Sequence, residues 1–512
     1  MLFNSYVFIL IFLPIVLAGF HLIGKVSHHR VAITWLVSAS LFFYGWWNPA
    51  YLGILVASIM FNYAVGVYLG ENKSKSILTV GVVLNLGLLC YFKYTNFFVE
   101  NLNDLTGSSF HLEKIILPLA ISFFTFQQIA YLVDAYRGLT REYNFLHYCL
   151  FVTFFPQLIA GPIVHHKDML PQFENNTLYK LKASHLSVGL VIFMLGLFKK
   201  VVLADNIAIH ATPVFDAAED GEVISFFDAW AGALAYSFQL YFDFSGYSDM
   251  AIGIARMFGV VLPVNFYSPY KSKNIIEFWR RWHITLSSFL RDYLYIPLGG
   301  GRNGKVNRHI NLMITMLLGG FWHGAGWTFL IWGGMHGLFL VVNHTWRELL
   351  KTSFPQRNKG ESAVLGWLGR ILTFICVVIA WVIFRAESLD GALNIYAGMF
   401  GINGVYLSVP LDLTTHGFRE VLSSMFPSFV FGDVKRGINL MLMMLIVVWF
   451  LPNTFDLLKN NQPALGLESF ITQAKTIFMW KFNVLFASAL ALMTITSLFY
   501  MSAPSEFLYF QF

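Results

Sequence analysis

Three histidines and a group of arginines stand among apolar residues, and they set the chemical question. His283 closes Phe278-Trp279-Arg280-Arg281-Trp282-His283. His323 lies in Phe321-Trp322-His323-Gly324, and His336 in Met335-His336-Gly337. A neutral imidazole can take a proton from a hydroxyl, and its ordinary pKa near 6.5 suits that work at neutral pH. Gly319, Gly320, Gly324 and Gly326 surround His323 and open the backbone to a ligand. On a continuous helix His336, 13 positions after His323 (336 − 323), falls about 20 Å further along. His323 therefore pairs with His283, 40 positions upstream (323 − 283) on a separate element. His336 is left to a tunnel or supporting role.

The cations around these histidines suggest an anionic ligand. If residues 275–295 form one helix, Arg280, His283, Ser287 and Arg291 recur at spacings of 3, 4 and 4 and share a face. Trp279, Trp282, Leu286, Phe289 and Tyr293 fill the other face. Such a helix lines a wet, anion-attracting surface, or lies in the interface with its arginines on lipid phosphates. The next loop, Gly299 to Arg308, carries Arg302, Lys305, Arg308 and four glycines, so its backbone can approach a phosphate. Gly299-xxxx-Gly304-Lys305 nearly matches a nucleotide-binding P-loop. Val306 stands where Ser or Thr is required and no strand precedes it, which excludes ATP. Phosphate recognition of another ligand and a plain cytoplasmic basic loop both remain. His309 reads as an ordinary interfacial residue.

The elements that must position these residues belong in a bilayer. Of 512 residues, 57% are hydrophobic, 17% aromatic and only 12% charged, with mean hydropathy +0.61. A soluble domain has about 25% charged residues, so this chain is a polytopic, all-α membrane protein. Its net charge of +6 suits basic cytoplasmic loops, and no basic run with interleaved aromatics points to nucleic acid. Cys90, Cys149 and Cys376 sit far apart in apolar runs and make neither a disulfide framework nor a metal motif. Serine-elbow, zinc-protease and dinucleotide signatures are absent, so neither a covalent serine nor a metal is implied.

Hydropathy gives about 11 to 13 membrane elements, some short or broken. Met1 to Phe20 reads as a retained first helix. Ser122, Thr125, Gln127, Gln128 and Asp134 interrupt an aromatic helix and must face protein or a cavity. Pro156, Gly161 and Pro162 break the backbone at depth. Leu186 to Phe198 reads as a span closed by Lys199-Lys200. The acidic loop Asp216 to Asp228 has no Lys or Arg and belongs outside. Asp243 opens a polar run, Asp243 to Asp249, between apolar stretches. Residues 386–435 read as irregular. One membrane domain spans 1–512, with a core at 90–385, peripheral helices at 1–90 and C-terminal helices at 386–512.

Three stretches carry a family resemblance: Phe278 to His283, Arg291-Asp292-Tyr293-Leu294-Tyr295, and Trp322-His323-Gly324. With Tyr241 to Met250, Ile159-Ala160-Gly161-Pro162 and Tyr91-Phe92-Lys93-Tyr94, they resemble the membrane-bound O-acyltransferases, in their bacterial alginate O-acetylation branch. The resemblance runs up to about Phe384, is specific from Asn274 to Gly337, and is weak from Ala386 onward. It implies a helical funnel across the bacterial inner membrane, with His323 catalytic and His283 its partner. His336, Trp282, Trp322, Ser287 and Asp243 become supporting or tunnel residues. The implied donor is cytoplasmic acetyl-CoA, with its phosphates on Arg280, Arg291, Arg302 and Lys305, and backbone donors or arginines at the oxyanion. The acceptor is an extracytoplasmic polysaccharide (alginate-like, cellulose or peptidoglycan), reached through a periplasmic acetyltransferase or another polysaccharide-modifying partner. Ser122 to Gln128 departs from a dedicated alginate protein and leaves the polymer open. The rivals are D-alanyl transfer from a carrier-protein thioester and, in another class, a transporter relaying protons through His283, His323 and Asp243. No inverted repeat of broken helices supports the transporter.

Overall fold

Long apolar runs with no water to satisfy their backbones must be helical. The computed structural model describes residues 1–26, 29–140, 144–353, 363–406, 433–471, 483–501 and 507–508, and these are all-helical, with one isolated β-bridge, Pro263 to Leu465, and no strand. Eight helices position the site: α1 (Lys75–Thr106), α2 (Ile121–Arg137), α3 (Phe226–Met257), α4 (Ile275–Trp279), α5 (Ile284–Leu290), α6 (Gly304–His323), α7 (Trp327–Ser353) and α8 (Ala363–Arg385).

Among the described residues, five helices are long and apolar enough to cross a bilayer: Phe8–Val26, Ala50–Asn72, α1, Ala183–Glu219 and α8. The 11 to 13 elements expected include shorter and more polar ones: Gly437–Phe450 and Val484–Tyr500 are apolar but shorter, and other long helices keep polar residues inside the protein. In α3 Asp243, Ser245, Ser248 and Asp249 are all buried. Most of residues 407–435 lie outside the described residues, while 389–399, expected to be irregular, form a helix opened by the Ser388 side chain on Gly391 N–H.

The expected span ending at Lys199-Lys200 is corrected. The helix passes through both lysines as a π-turn, Lys199–Ala204, and continues to Glu219. Both lysines are neutralised inside the protein. Lys199 meets Asp249 at 2.6 Å, and Lys200 meets Asp243 at 2.7 Å and Asp205 at 2.8 Å. The Thr454 hydroxyl also donates to Asp249, at 2.6 Å. Asp243 therefore ties α3 to its neighbour.

α6 and α7 form a tight antiparallel hairpin. A Cβ on Gly320 would lie 2.3 Å from the Phe329 carbonyl oxygen, and one on Gly333 the same distance from that of Met316. Small residues allow this approach, as is usual between membrane helices. The hairpin overturns the continuous helix from His323 to His336. α6 ends at His323, Gly324 is extended (φ −156°, ψ 150°), and α7 returns alongside.

The amides of α2 face protein as expected. Gln127 donates to the Phe151 carbonyl at 2.8 Å, Gln128 to the Ser58 hydroxyl at 2.9 Å, and Asp134 accepts from Tyr293 at 2.9 Å. The broken backbone at Pro156–Pro162 is wholly buried, and Ile163 N–H reaches the Thr285 hydroxyl at 3.0 Å.

Candidate active site

The single helix expected over 275–295 is three pieces: α4, α5 and a π-turn, Arg291–Tyr295. The break falls at Arg280–His283, where His283 takes a left-handed backbone (φ 42°, ψ 57°) as it leads into α5. A left-handed non-glycine residue costs energy and needs surrounding structure to hold it. Here the segment beside Asn265 does so. Ile284 N–H bonds the Asn265 carbonyl at 2.8 Å, and Tyr267 N–H bonds the Arg281 carbonyl at 2.9 Å. The twist turns His283 inward to zero exposure and leaves Arg280, Ser287 and Arg291 facing a cleft. The polar stripe is thus divided.

Asn265 sets the tautomer of His283. Its Oδ1 accepts from Thr285 N–H at 3.4 Å and Thr285 Oγ1 at 2.9 Å, and lies 3.0 Å from His283 Nδ1. The backbone donor fixes that atom as the amide oxygen, which only accepts. Nδ1 of His283 therefore carries the hydrogen and Nε2 is the accepting nitrogen.

His323, 6% exposed, is the last residue of α6 and lines a cavity of about 200 Å³ with Trp47, Lys93, Ser122 and Trp322. The Trp322 indole neighbours both histidines, 5.0 Å from the His323 ring and 6.5 Å from that of His283. His323 also meets Trp332 at 5.1 Å and Phe384 at 5.4 Å. His336, brought back by the hairpin, lies 4.8 Å from the same Trp332 and 5.1 Å from Trp279. The 20 Å separation is therefore corrected: one indole touches both imidazoles. Trp282 stacks on Phe278 at 5.7 Å and packs against Trp381 at 4.9 Å, within the aromatic mass behind His283.

A second, larger cleft of about 800 Å³ opens elsewhere, lined by Arg280, Arg281, Ser287, Arg291, His344 and Arg347 and floored by Trp279, Met316 and Leu340. Arg281 pairs with Glu277 at 2.8 Å, and Arg291 holds Asp292 through bonds of 2.7 and 2.9 Å. Among the described residues neither Arg280 nor Arg347 is paired with a carboxylate. Arg302 and Lys305 do not line this cleft. Lys305 and Arg308 are drawn to Glu348 on α7, at 3.1 and 2.5 Å, and Arg302 lies exposed in the glycine turn. Arg347 and His344 take the place expected for them. Their signal was the pairing of α6 with α7, which sequence spacing does not reveal.

The two openings are distinct and share no lining residue. α1 starts at the basic turn Lys73–Lys75, and basic turns favour the cytoplasmic side. Lys93 at the His323 cavity is 18 residues on, about 27 Å of rise. The arginine cleft meets α6 at Leu312, Thr315 and Met316, 7 to 11 residues before His323, about 10–16 Å of rise. The acidic loop expected outside packs at the Arg385 end of α8, where Asp216 lies 3.9 Å from Arg385. Asp243 lines neither opening. Its carboxylate is held by Lys200 and by Leu508 N–H at 3.1 Å, which corrects its expected place in a tunnel or proton relay.

His323 thus lines one opening and the arginines the other, with His283 buried among Phe244, Phe266 and Trp322. Comparison with known proteins gives the class. The chain belongs to the membrane-bound O-acyltransferase family, whose model matches residues 67–384. It is a multi-pass enzyme of the bacterial inner membrane. It is 42% identical to the peptidoglycan O-acetyltransferase of Helicobacter pylori over all of this chain and 98% of that protein. It is 44% identical to the probable alginate O-acetylase AlgI of Azotobacter vinelandii over 80% of each chain. With the teichoic acid D-alanyltransferase of Streptococcus thermophilus it shares 29% identity over 53% of this chain and 69% of that one. The family match ends at 384, where the resemblance was expected to fade, but the similarity to the Helicobacter protein continues past Ala386.

Proposed function

We propose that the enzyme moves an acetyl group from cytoplasmic acetyl-CoA, through the wall that holds His283 and His323, to a hydroxyl on the outer side, for O-acetylation of an extracytoplasmic polysaccharide. The observation that carries this reading is that His323 lines one opening and the arginines line another with no lining residue in common; we assign the first to the outer side and the second to the cytoplasm. Arg280, Arg281, Arg291 and Arg347 supply charge-assisted contacts for the phosphates of the donor, which the cleft is large enough to seat.

In the transfer, the His323 imidazole accepts the acceptor's hydroxyl proton. The freed oxygen attacks the thioester carbonyl, a C–O bond forms, the C–S bond breaks, and the thiolate takes the proton. His283, its Nδ1 hydrogen committed to Asn265, supports that step with Nε2. Of the two polymers named by the full-length and near-full-length relatives, peptidoglycan is favoured by the end-to-end similarity to the Helicobacter protein, and alginate by the AlgI proteins. D-alanyl transfer is the weaker reading, since its relatives match about half of the chain. A periplasmic acetyltransferase would carry the group on to the polymer.

The test is polymer O-acetylation in a strain lacking the native gene, with membrane levels of each variant matched. His323→Ala is expected to abolish it and His283→Ala to cost nearly as much, within the 10²–10⁴-fold usual for general bases. Near-normal acetylation with His323→Ala would overturn the mechanism.

A further inference from the structure

A lysine in the interior of a membrane protein is costly and calls for a partner. Lys93 of α1 lies at the outer cavity. Its Nζ stands 2.5 Å from the Trp322 carbonyl oxygen, 3.0 Å from that of His323, and 5.7 Å over the Trp322 ring. The adjacent Tyr94 donates to the Phe321 carbonyl at 3.0 Å and stacks on the Phe321 ring at 4.2 Å. Three consecutive carbonyls at the end of α6 are thus taken by two neighbouring side chains of another helix.

Those carbonyls are among the groups that a helix C-terminus leaves without internal partners, and they carry its negative partial charge. Gly324 turns away in extended conformation, so the backbone beyond does not continue the helix. A cation at this point both satisfies the carbonyls and meets the dipole. His323 is the residue so clamped, and a misplaced reacting group is expensive in rate.

We propose that Lys93 is a positioning residue of the transfer reaction: its ammonium, with the Tyr94 hydroxyl, locks the end of α6 so that the His323 ring is held at the foot of the outer cavity. The third N–H of the ammonium is left to the cavity, which makes Lys93 the cation nearest the acceptor. This rests on the reading of His323 as the base. It gives Lys93 no part in donor binding, since Lys93 does not line the arginine cleft.

The experiment compares Lys93→Met, Lys93→Arg, Tyr94→Phe and His323→Ala. It measures O-acetyl transfer in the complemented strain, and acetyl-CoA affinity and thermal unfolding of each purified full-length protein. Lys93→Met keeps length and removes charge. It is expected to lower transfer about 10²-fold, the scale for a catalytic group displaced by about 1 Å, with acetyl-CoA affinity unchanged. Lys93→Arg, which keeps a cation for the carbonyls, restores most of the loss. Tyr94→Phe, which removes one bond and keeps the stack, gives a smaller loss in the same direction and reads the clamp even if Lys93→Met fails to accumulate. Wild-type transfer by folded Lys93→Met overturns the proposal, as does a loss fully accounted for by weaker acetyl-CoA binding. If His323→Ala itself stays active, the reading of the site fails first. If His323→Ala is dead and Lys93→Met is not, only the role of Lys93 fails.

Discussion

His336 offers a direct test of whether the site works as the packing indicates. Its side chain has zero exposure and touches five rings: Phe278, Trp279, Trp332, Phe339 and Trp381, at 6.2, 5.1, 4.8, 5.7 and 6.2 Å. Trp332 is also the wall of His323. His336→Ala removes the ring and leaves a cavity among those five. Large-to-small changes of this kind cost about 2–5 kcal/mol. Trp332 would then relax toward the void and carry the surroundings of His323 with it. A displacement of about 1 Å can cost 10²-fold in rate. His336→Ala should therefore reduce transfer more than a residue 20 Å away would, and should also lower the unfolding temperature. His336→Phe keeps an aromatic ring against Trp332 and should recover much of both. The assay is polymer O-acetylation at matched membrane levels, alongside thermal unfolding of the purified protein. If His336→Phe is folded, stable and as inactive as His323→Ala, the imidazole itself takes part in the chemistry and the packing account is refuted.

Three further outcomes follow from the geometry. Arg347→Glu and Arg280→Glu should each weaken acetyl-CoA binding by tenfold or more, about 1.4 kcal/mol, most clearly at low salt, whereas Arg302→Glu should leave titrated affinity near wild type; equal effects at all three would mean that the cleft is not the donor site. Asn265→Leu should depress transfer by releasing the His283 tautomer while Asn265→Asp, still an acceptor, retains more of it, as read by O-acetylation of the two strains. Asp243→Asn leaves Lys200 with Asp205 alone and should destabilise the protein by about 1.5–3 kcal/mol, the scale of one hydrogen bond to a charged group, whereas Lys200→Met combined with Asp243→Leu should cost less; the check is thermal unfolding in detergent, with transfer per folded molecule unchanged.

The composition by itself determined the class of protein. With 12% charged residues the chain cannot clothe a soluble surface, and helices are what a bilayer permits. The spacing of polar residues in α2 and the prolines at 156 and 162 correctly marked places that face protein. His323 stood out as a polar imidazole among four glycines in an apolar run, costly at that depth unless it has a task, and the structure places it on a cavity wall. What it could not supply was any relation that depends on where helices turn. Residues 275–295 have the periodicity of one helix, yet the bonds between the Asn265 segment and Arg281–Ile284 force a left-handed His283 and divide the polar stripe. The glycines after His323 permit either a flexible helix or a reversal. Only the packing of Gly320 against Gly333 selects the hairpin that brings His336 back to Trp332. The basic loop looked like a phosphate site by composition, but Glu348, 40 residues after Arg308, holds two of its three cations, Lys305 and Arg308. Lys93, 230 positions from His323, was visible only as part of a motif. Local periodicity records which face of an element is polar, whereas partners distant in the chain are chosen by the tertiary fold, which alone decides which charges are neutralised and which are left to meet a substrate.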